Sequence, residues 1–436
     1  MTSRDSNAAK LLRYRWLIFT VLTTAYFLVY FHRLSLSVVA DDLVKEFQLS
    51  GSMMGLLGSV YFYCYAAMQL PAGLMSDSLG PRKTVTFFLL IAAVGSLVFG
   101  LAQNFTMAFI GRLLVGFGVS MVFIPTMKIL SQWFRSHEFA IMAGILNAVG
   151  GIGVMAATWL LALMTARFGW RPSFEVIGGA TFVLLILVWM IVRDRPQEMG
   201  WPSLAEIDGE VQTSAPEVEK FSLGQGIVRV LSEKRFWPVA IWFFLDCGIF
   251  FGFGALWGGP YLMHVHALSR AQAGSILSMI AWGMIIGSPL LGYFSEKVVK
   301  SRKKVFVFCT GILTLVLFVL SRFPAGAHLP LLYPLFFLFS FSSSAIVVIG
   351  FTTVKELFPV AIAGTSVGTI NLFPFLGGAV FMPLMGKILD HFPKTGAGVY
   401  TPEAYASLLS VLTGAAVLAL ICTFFMHETC GKTTPG

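Results

Sequence analysis

GLMSDSLGPRK, residues 73–83, returns in outline as GYFSEKVVKSRKK, residues 292–304, and that echo decides how the chain is divided. Each segment closes an apolar run, turns on glycine or an acidic residue, and ends in basic side chains. The glycine that opens each lies 219 residues apart (73 to 292). Two further pairs repeat at a spacing of 224: Trp133-Phe134 with Leu357-Phe358, and GILN (144–147) with GTIN (368–371). Several signatures at nearly one spacing argue for a duplicated unit, and parallel repeats of this size are the build of secondary transporters whose site lies between the halves.

The chain has 436 residues, 57% hydrophobic and 12% charged, with a mean hydropathy of +0.81. A soluble chain is about half apolar and one quarter charged, so this one is built for lipid. Apolar runs of spanning length fall near 16–40, 52–75, 82–102, 105–128, 139–165, 174–192, 237–262, 270–294, 304–322, 329–352, 362–388 and 403–426. They are continuous rather than alternating, which excludes a strand barrel. The expected fold is an all-α integral membrane protein of twelve transmembrane helices in two six-helix halves, 1–192 and 237–436, joined by a polar linker, 193–236, with a short surface helix at its end.

Arg4, Lys10, Arg13 and Arg15 precede the first run without the apolar core of a signal peptide. Arg82, Lys83, Arg135, Lys297, Lys300, Arg302, Lys303 and Lys304 fall in loops on that same side. This positive-inside pattern places both termini in the cytoplasm, in a cytoplasmic membrane, and accounts for the net charge of +9 without a nucleic-acid partner. The five cysteines have no paired spacing, so neither a disulfide nor a zinc site is expected. Asn104-Phe-Thr matches a glycosylation acceptor, a three-residue pattern that arises readily by chance.

Within the loop of 73–83, Gly73 would permit close helix approach and Asp77 would cap or ion-pair a neighbouring helix end. Gly80-Pro81 would make the turn, and Arg82 and Lys83 would hold the loop at the inner face. The segment resembles the loop between helices two and three of the major facilitator superfamily, with Ser78 where that family usually has a base. Arg33 after Tyr30, RDRPQEMG (193–200), Glu356-Leu-Phe-Pro, Ala363-Gly-Thr365 and Leu376-Gly-Gly378 look like the organophosphate:phosphate antiporters and the anion:cation symporters of that superfamily. The resemblance implies that Arg33 binds a substrate anion. It also marks departures: Gly252 stands for a second arginine, Gln69 for a lysine and Leu146 for a histidine. With those partners of a phosphate dianion missing, a carboxylate or sugar acid suits a single arginine better.

Arg33 also has a structural reading, pairing with Asp41 or Asp42 or reaching the outer headgroups, since it lies in the outer part of the first run. His32, on another face, reads as a packing residue. Asp246, in IWFFLDCGIFF (241–251), is the carboxylate deep in a membrane run and the candidate proton carrier; as the alternative, it could pair with a polar neighbour. Arg112 matches a family arginine at a structural or proton-linked position. Lys128 is a candidate for substrate or gate, Asn147 and Asn371 for ligand contact or interhelical bonding, and Tyr30, Tyr61, Tyr63, Tyr65, Gln69 and Trp257 for a cavity wall.

No nucleotide loop, hydrolytic triad or metal motif is present, so the chain does not read as an enzyme and no cofactor is expected. Its expected partners are a small anionic substrate, protons and the lipid bilayer, with the chain acting as a monomer. Proton-coupled uptake of an organic anion is the first reading. A proton-driven exporter of drug-like or siderophore-like compounds is the second, weakened because the fifth run lacks the Gly-Pro pair of such antiporters. A membrane sensor is the third, and the short N-terminus and tail offer no signalling domain.

Overall fold

The computed structural model describes residues 3–208, 223–323, 328–345, 349–395 and 399–430, and nearly all of them are helical. Ten helices are long and apolar enough to cross a membrane: Lys10–Leu34, Pro81–Gly100, Phe105–Trp133, Ile141–Phe168, Trp170–Ile191, Phe236–Val265, Arg270–Val298, Arg302–Arg322, Gly364–Asp390 and Pro402–Phe425. The second and tenth spans complete the twelve and are interrupted. Gly51–Ala67 and Gln69–Ser78 meet at Met68, where Pro71 has no N–H to give the carbonyl of Ala67. The tenth runs as Leu329–Ser343 and then Phe351–Leu357, with 346–348 outside the described residues.

Residues near 3 and 430, the loop of 73–83 and the described linker residues 193–208 and 223–236 lie at one face of the bundle, called here the terminal face; loops near 48, 102, 267 and 392 lie at the far face. Within each half the same neighbours pack: third with fourth and sixth, and ninth with twelfth. The halves meet along two seams, the second span against the eleventh and the fifth against the eighth. These seams exchange under the repeat, as a two-fold relation between the halves requires. Of the linker, Leu223–Ser232 is a helix whose Gly226 abuts Thr365, and 209–222 lie outside the described residues.

At the far face the seams are clamped. Asp390, ending the eleventh span, accepts from the N–H groups of Gly51 (2.6 Å) and Ser52 (2.8 Å), from Ser52 Oγ (2.6 Å) and from Tyr400 OH (3.1 Å). A carboxylate of one half thus occupies the positive N-terminal end of a helix in the other. Gly51 and Gly386 are in backbone contact, so a Cβ on either would overlap the other. His264 Nε2 lies 2.8 Å from Asp41 Oδ1, Arg270 bonds Asp42 at 2.5 Å and Lys394 donates to Leu49 O at 3.1 Å, all between halves. Toward the terminal face the seams part: a Cβ at Gly73, Gly144, Gly364 or Gly368 would meet only open space. Gly73 therefore serves no close approach in this state, contrary to the expectation from sequence.

The terminal face is tied within halves instead. Arg82 N–H donates to Asp194 Oδ1 (2.6 Å) and its guanidinium to Trp189 O, fixing the loop to the exit of the sixth span, with Gly80 at φ 88° making the turn into Pro81. Glu428 repeats that cap in the second half, accepting from Arg302 N–H (3.0 Å), Lys303 N–H and Ser301 Oγ. Arg302 also forks onto Glu356 (2.8 and 2.6 Å), and Arg15 onto Glu138 (2.7 and 3.0 Å). Lys83 is exposed. Asn104, read as a glycosylation pattern, caps the fourth span by accepting from Met107 N–H at 2.9 Å.

Burial alone would raise the Glu428 carboxyl, but its hydrogen bonds from Ser301, Cys430, Arg302 and Lys303 outweigh that and hold it below the usual range. A depressed folded value means the tie is present at neutral pH and is lost as the pH falls from the usual carboxylate range through that value. Thermal unfolding of the solubilised protein should lose stability on acidification in that window, with a flatter profile in Glu428→Gln; identical slopes would discount the cap.

A larger residue at the seam should hold it apart. Spin labels at Lys45 and His391 of a cysteine-free variant should read a longer far-face distance with Gly386→Val than without it. An unchanged distance would mean that the glycine contact does not set closure.

Candidate functional site

The first span does not run straight through. Its helix, Ser3–Leu34, breaks at Ser35 and resumes as Leu36–Phe47. Arg33 sits at that break, level with the middles of the second, seventh and eleventh spans, and is 5% exposed. It is deeper than the sequence suggested, because the first span continues well past the run of apolar residues that marks it. Neither Asp41 nor Asp42 reaches it; they are spent on His264 and Arg270.

Four rings surround the Arg33 guanidinium: Tyr30 at 4.6 Å, Tyr65 at 4.9 Å, Phe375 at 5.3 Å and Phe251 at 5.7 Å from the ring centroids. The hydroxyls of Tyr61 and Tyr65 interact with it as well. Among the described residues no carboxylate lies within ion-pair distance, and Nε has no hydrogen-bond partner. Inserting an arginine at mid-membrane costs about 2.5–3.5 kcal/mol on insertion scales. A desolvated cation–π contact returns about 0.5–2 kcal/mol. Four such contacts are enough to hold the charge without a carboxylate, which leaves it available to an anion.

A cavity of about 60 Å³ opens beside it, lined by Arg33, Tyr30, Phe251, Met284, Ser288 and Ser343 among others. Residues of both halves form this wall. At about 30 Å³ per water in the liquid, it holds a few waters and not a six-carbon acid, so a ligand of that size enters only when the rings part. The ring pair Tyr65–Phe375, stacked at 4.1 Å, crosses the seam and belongs to one residue from each half. One turn further toward the terminal face, Asn371 Nδ2 donates to Gln69 Oε1 at 2.7 Å across the same seam. Neither pair lines the cavity; both join the two halves along the seam on the side where the bundle opens.

The other site candidates separate. Gln69 and Asn371 spend their amides on each other, the interhelical use foreseen for the asparagines. Asn147, at the equivalent place in the first half, is half-buried and has no hydrogen-bond partner among the described residues. Trp257 is buried outside the cavity, donating to Met382 O at 3.2 Å near the clamped far face. Lys128 is away from Arg33 as well: it bonds Asp77 Oδ1 (2.6 Å) and Ser76 O (3.0 Å) at the terminal face, so Asp77 pairs as the loop motif suggested. Tyr63 is exposed, and Tyr61 OH donates to Val29 O at 3.3 Å.

Arg112, 1% exposed, donates to His32 O at 3.1 Å and lies over the rings of Tyr61 and Phe99. That carbonyl also accepts from Ser35 Oγ at 3.2 Å, at the end of the first helix. Arg112 therefore anchors the break on which Arg33 stands. His32 is fully buried beside it. Asp246, 1% exposed, does not line the cavity; it sits behind the wall, with Ser343 as its polar neighbour and Oδ2 without a partner.

The profile of the Major Facilitator Superfamily matches residues 22–266 and 239–434. The chain belongs to that superfamily. It is a membrane transporter, not an enzyme, and the family accounts for the two seams and the central cavity. It is similar to the probable galactarate/D-glucarate transporter GarP of Escherichia coli (strain K12), 22% identical over 444 residues with 94% of each chain covered. It is also similar to the D-galactonate transporter of Escherichia coli O6:H1 (strain CFT073), 24% identical over 424 residues covering 90% of this chain and 94% of that one. In fold it matches a bacterial homolog of the human lysosomal transporter Spinster in an inward-facing, unoccupied conformation. That match has a TM-score of 0.74 at 17% identity and covers 94% of this chain and 96% of that one.

Sequence reasoning missed Phe251, Phe375, Ser288 and Ser343, because nothing local separates a cavity-facing Phe or Ser from a packed one. Arg33 and Lys128 give the sharpest contrast between the candidates. Lys128→Ala should leave ligand affinity within about threefold of wild type, since an exposed ion pair contributes about 0–1 kcal/mol. A larger loss in equilibrium binding would return Lys128 to the site.

Proposed function

We propose that the protein carries a small organic anion of the sugar-acid class across the membrane by alternating access, with the substrate carboxylate on Arg33. The observation that carries this reading is a mid-membrane guanidinium, caged by rings of both halves and without a carboxylate, beside a cavity on the seam. A carboxylate meets a guanidinium edge-on with two parallel bonds, while the rings cover its faces. Relatives named for galactarate, glucarate and galactonate transport support the same class.

In this reading the terminal face is cytoplasmic, by the positive-inside distribution of the basic loops, and the clamped far face is external. The state described then faces inward, with the Tyr65–Phe375 and Gln69–Asn371 pairs still to part before substrate leaves. Rocking of the halves would break the Asp390, His264 and Arg270 contacts outside while closing the seams inside. Asp246, buried in the seventh span, carries the coupling proton, being neutral with it and charged without it.

Purified protein in liposomes, given labelled hexonates, hexarates, hexuronates and a sugar phosphate with and without an imposed pH gradient, tests this. The sugar acids should accumulate, faster with an inward proton gradient, and the phosphate ester should not. Arg33→Ala should weaken binding by about 2–5 kcal/mol, a loss of thirtyfold or more, as expected for removing one partner of a buried charge pair. Uptake of the sugar acids that is indifferent to Arg33→Ala would overturn the role of Arg33, and transport of none of them would overturn the substrate class.

A further inference from the structure

The carboxyl of Asp246 and the guanidinium of Arg33 have no contact, and Ser343, in a run of serines on the tenth span, both lines the cavity beside Arg33 and neighbours Asp246. Three serines of that run spend their hydroxyls on backbone carbonyls, Ser340 on Ile280 (2.6 Å), Ser342 on Phe339 (3.0 Å) and Ser344 on Phe341 (2.7 Å), as Ser59 on the second span does on Leu56 (3.0 Å). Ser343 does not. It is 4% exposed, it lines the cavity with Arg33, and its Oγ, which bonds no backbone carbonyl, has the Asp246 carboxyl as its polar contact. It ends the helix Leu329–Ser343, where the span is interrupted.

We propose that Ser343 is a positioning residue that relays the protonation state of Asp246 to the ligand at Arg33, an inference that rests on the coupling role given to Asp246 above. With Asp246 protonated, its O–H donates to Ser343 Oγ, and the Ser343 O–H turns into the cavity and donates to a ligand oxygen. With Asp246 ionised, the carboxylate accepts the Ser343 O–H, and the cavity meets only lone pairs, which repel an anion's oxygens. The proton comes from water and returns to water, and no other bond is made or broken. Ligand and proton then strengthen each other's binding by the same factor.

Ser288 on the eighth span also turns an unspent hydroxyl to this cavity, but of the two serines it is Ser343 that contacts the Asp246 carboxyl. The titratable groups recorded near the carboxyl are the thiols of Cys247 on its own span and Cys309 on the ninth; across the cavity stands Arg33, which also acts on Cys247. Among the described residues, the eighth, eleventh and twelfth spans bring no charged group to it.

The test is the ratio of pH-gradient-driven accumulation to gradient-free counterflow of a labelled sugar acid, in liposomes carrying wild type, Ser343→Ala, Ser343→Thr or Asp246→Asn. The ratio should fall about tenfold or more in Ser343→Ala and Asp246→Asn, and Ser343→Thr, which keeps the hydroxyl, should restore it. Wild-type ligand affinity should rise on acidification, and that rise should vanish in Ser343→Ala. A normal ratio in Ser343→Ala beside a collapsed one in Asp246→Asn would overturn the relay and leave Asp246 as the proton carrier. A normal ratio in Asp246→Asn would overturn the coupling role, and the relay with it. Should Ser343→Ala fail to insert, Ser343→Cys, a much weaker donor, gives the same reading.

Discussion

The rest of the structure depends on one unpaired charge. Arg33 stands at mid-membrane with its faces covered by four rings and its edge turned to a cavity. A carboxylate from the protein would neutralise it and remove its use, since a ligand would then have to displace a covalently tethered rival. Rings hold the cation by its faces, and beside them only the neutral hydroxyls of Tyr61 and Tyr65 act on it. The break at Ser35 and the anchor of Arg112 on His32 O fix where that charge sits.

Two of the rings belong to each half, so the cage and the seam are one object. The Tyr65–Phe375 and Gln69–Asn371 pairs join the halves along that seam toward the terminal face. Far from the cavity, the same seam is held by Asp390 on the start of the second span and by the Gly51–Gly386 contact. The contacts that make one face tight are bonds that rocking must give up together. Ties at the other face stay within halves, and so each half can move as a body.

Much of this was legible in the sequence. The echo of 73–83 at 292–304 gave the two halves, and the Asp77 and Arg82 of that loop do pair and brace as their positions suggested. Arg33 stood out because a charge in an apolar run demands an explanation. What stayed hidden depends on which way a side chain faces. Lys128 looked like a second cation for the site and instead bonds Asp77. Gln69 and Asn371, 302 residues apart, satisfy each other, a pairing no local pattern announces. Phe251, Phe375 and Ser343 have the same composition as their packed neighbours, and only the assembled seam distinguishes them.

The measurement closest to the central claim is ligand-induced stabilisation of the protein in nanodiscs, comparing a sugar acid with the alditol of the same carbon chain. A ligand that binds only the folded state raises the unfolding temperature in proportion to ln(1 + [L]/Kd). The expected result is stabilisation by the acid, none by the alditol at equal concentration, and loss of the acid's effect in Arg33→Gln. Equal stabilisation by the neutral alditol, or an undiminished effect of the acid in Arg33→Gln, would contradict the assignment of that charge to the substrate.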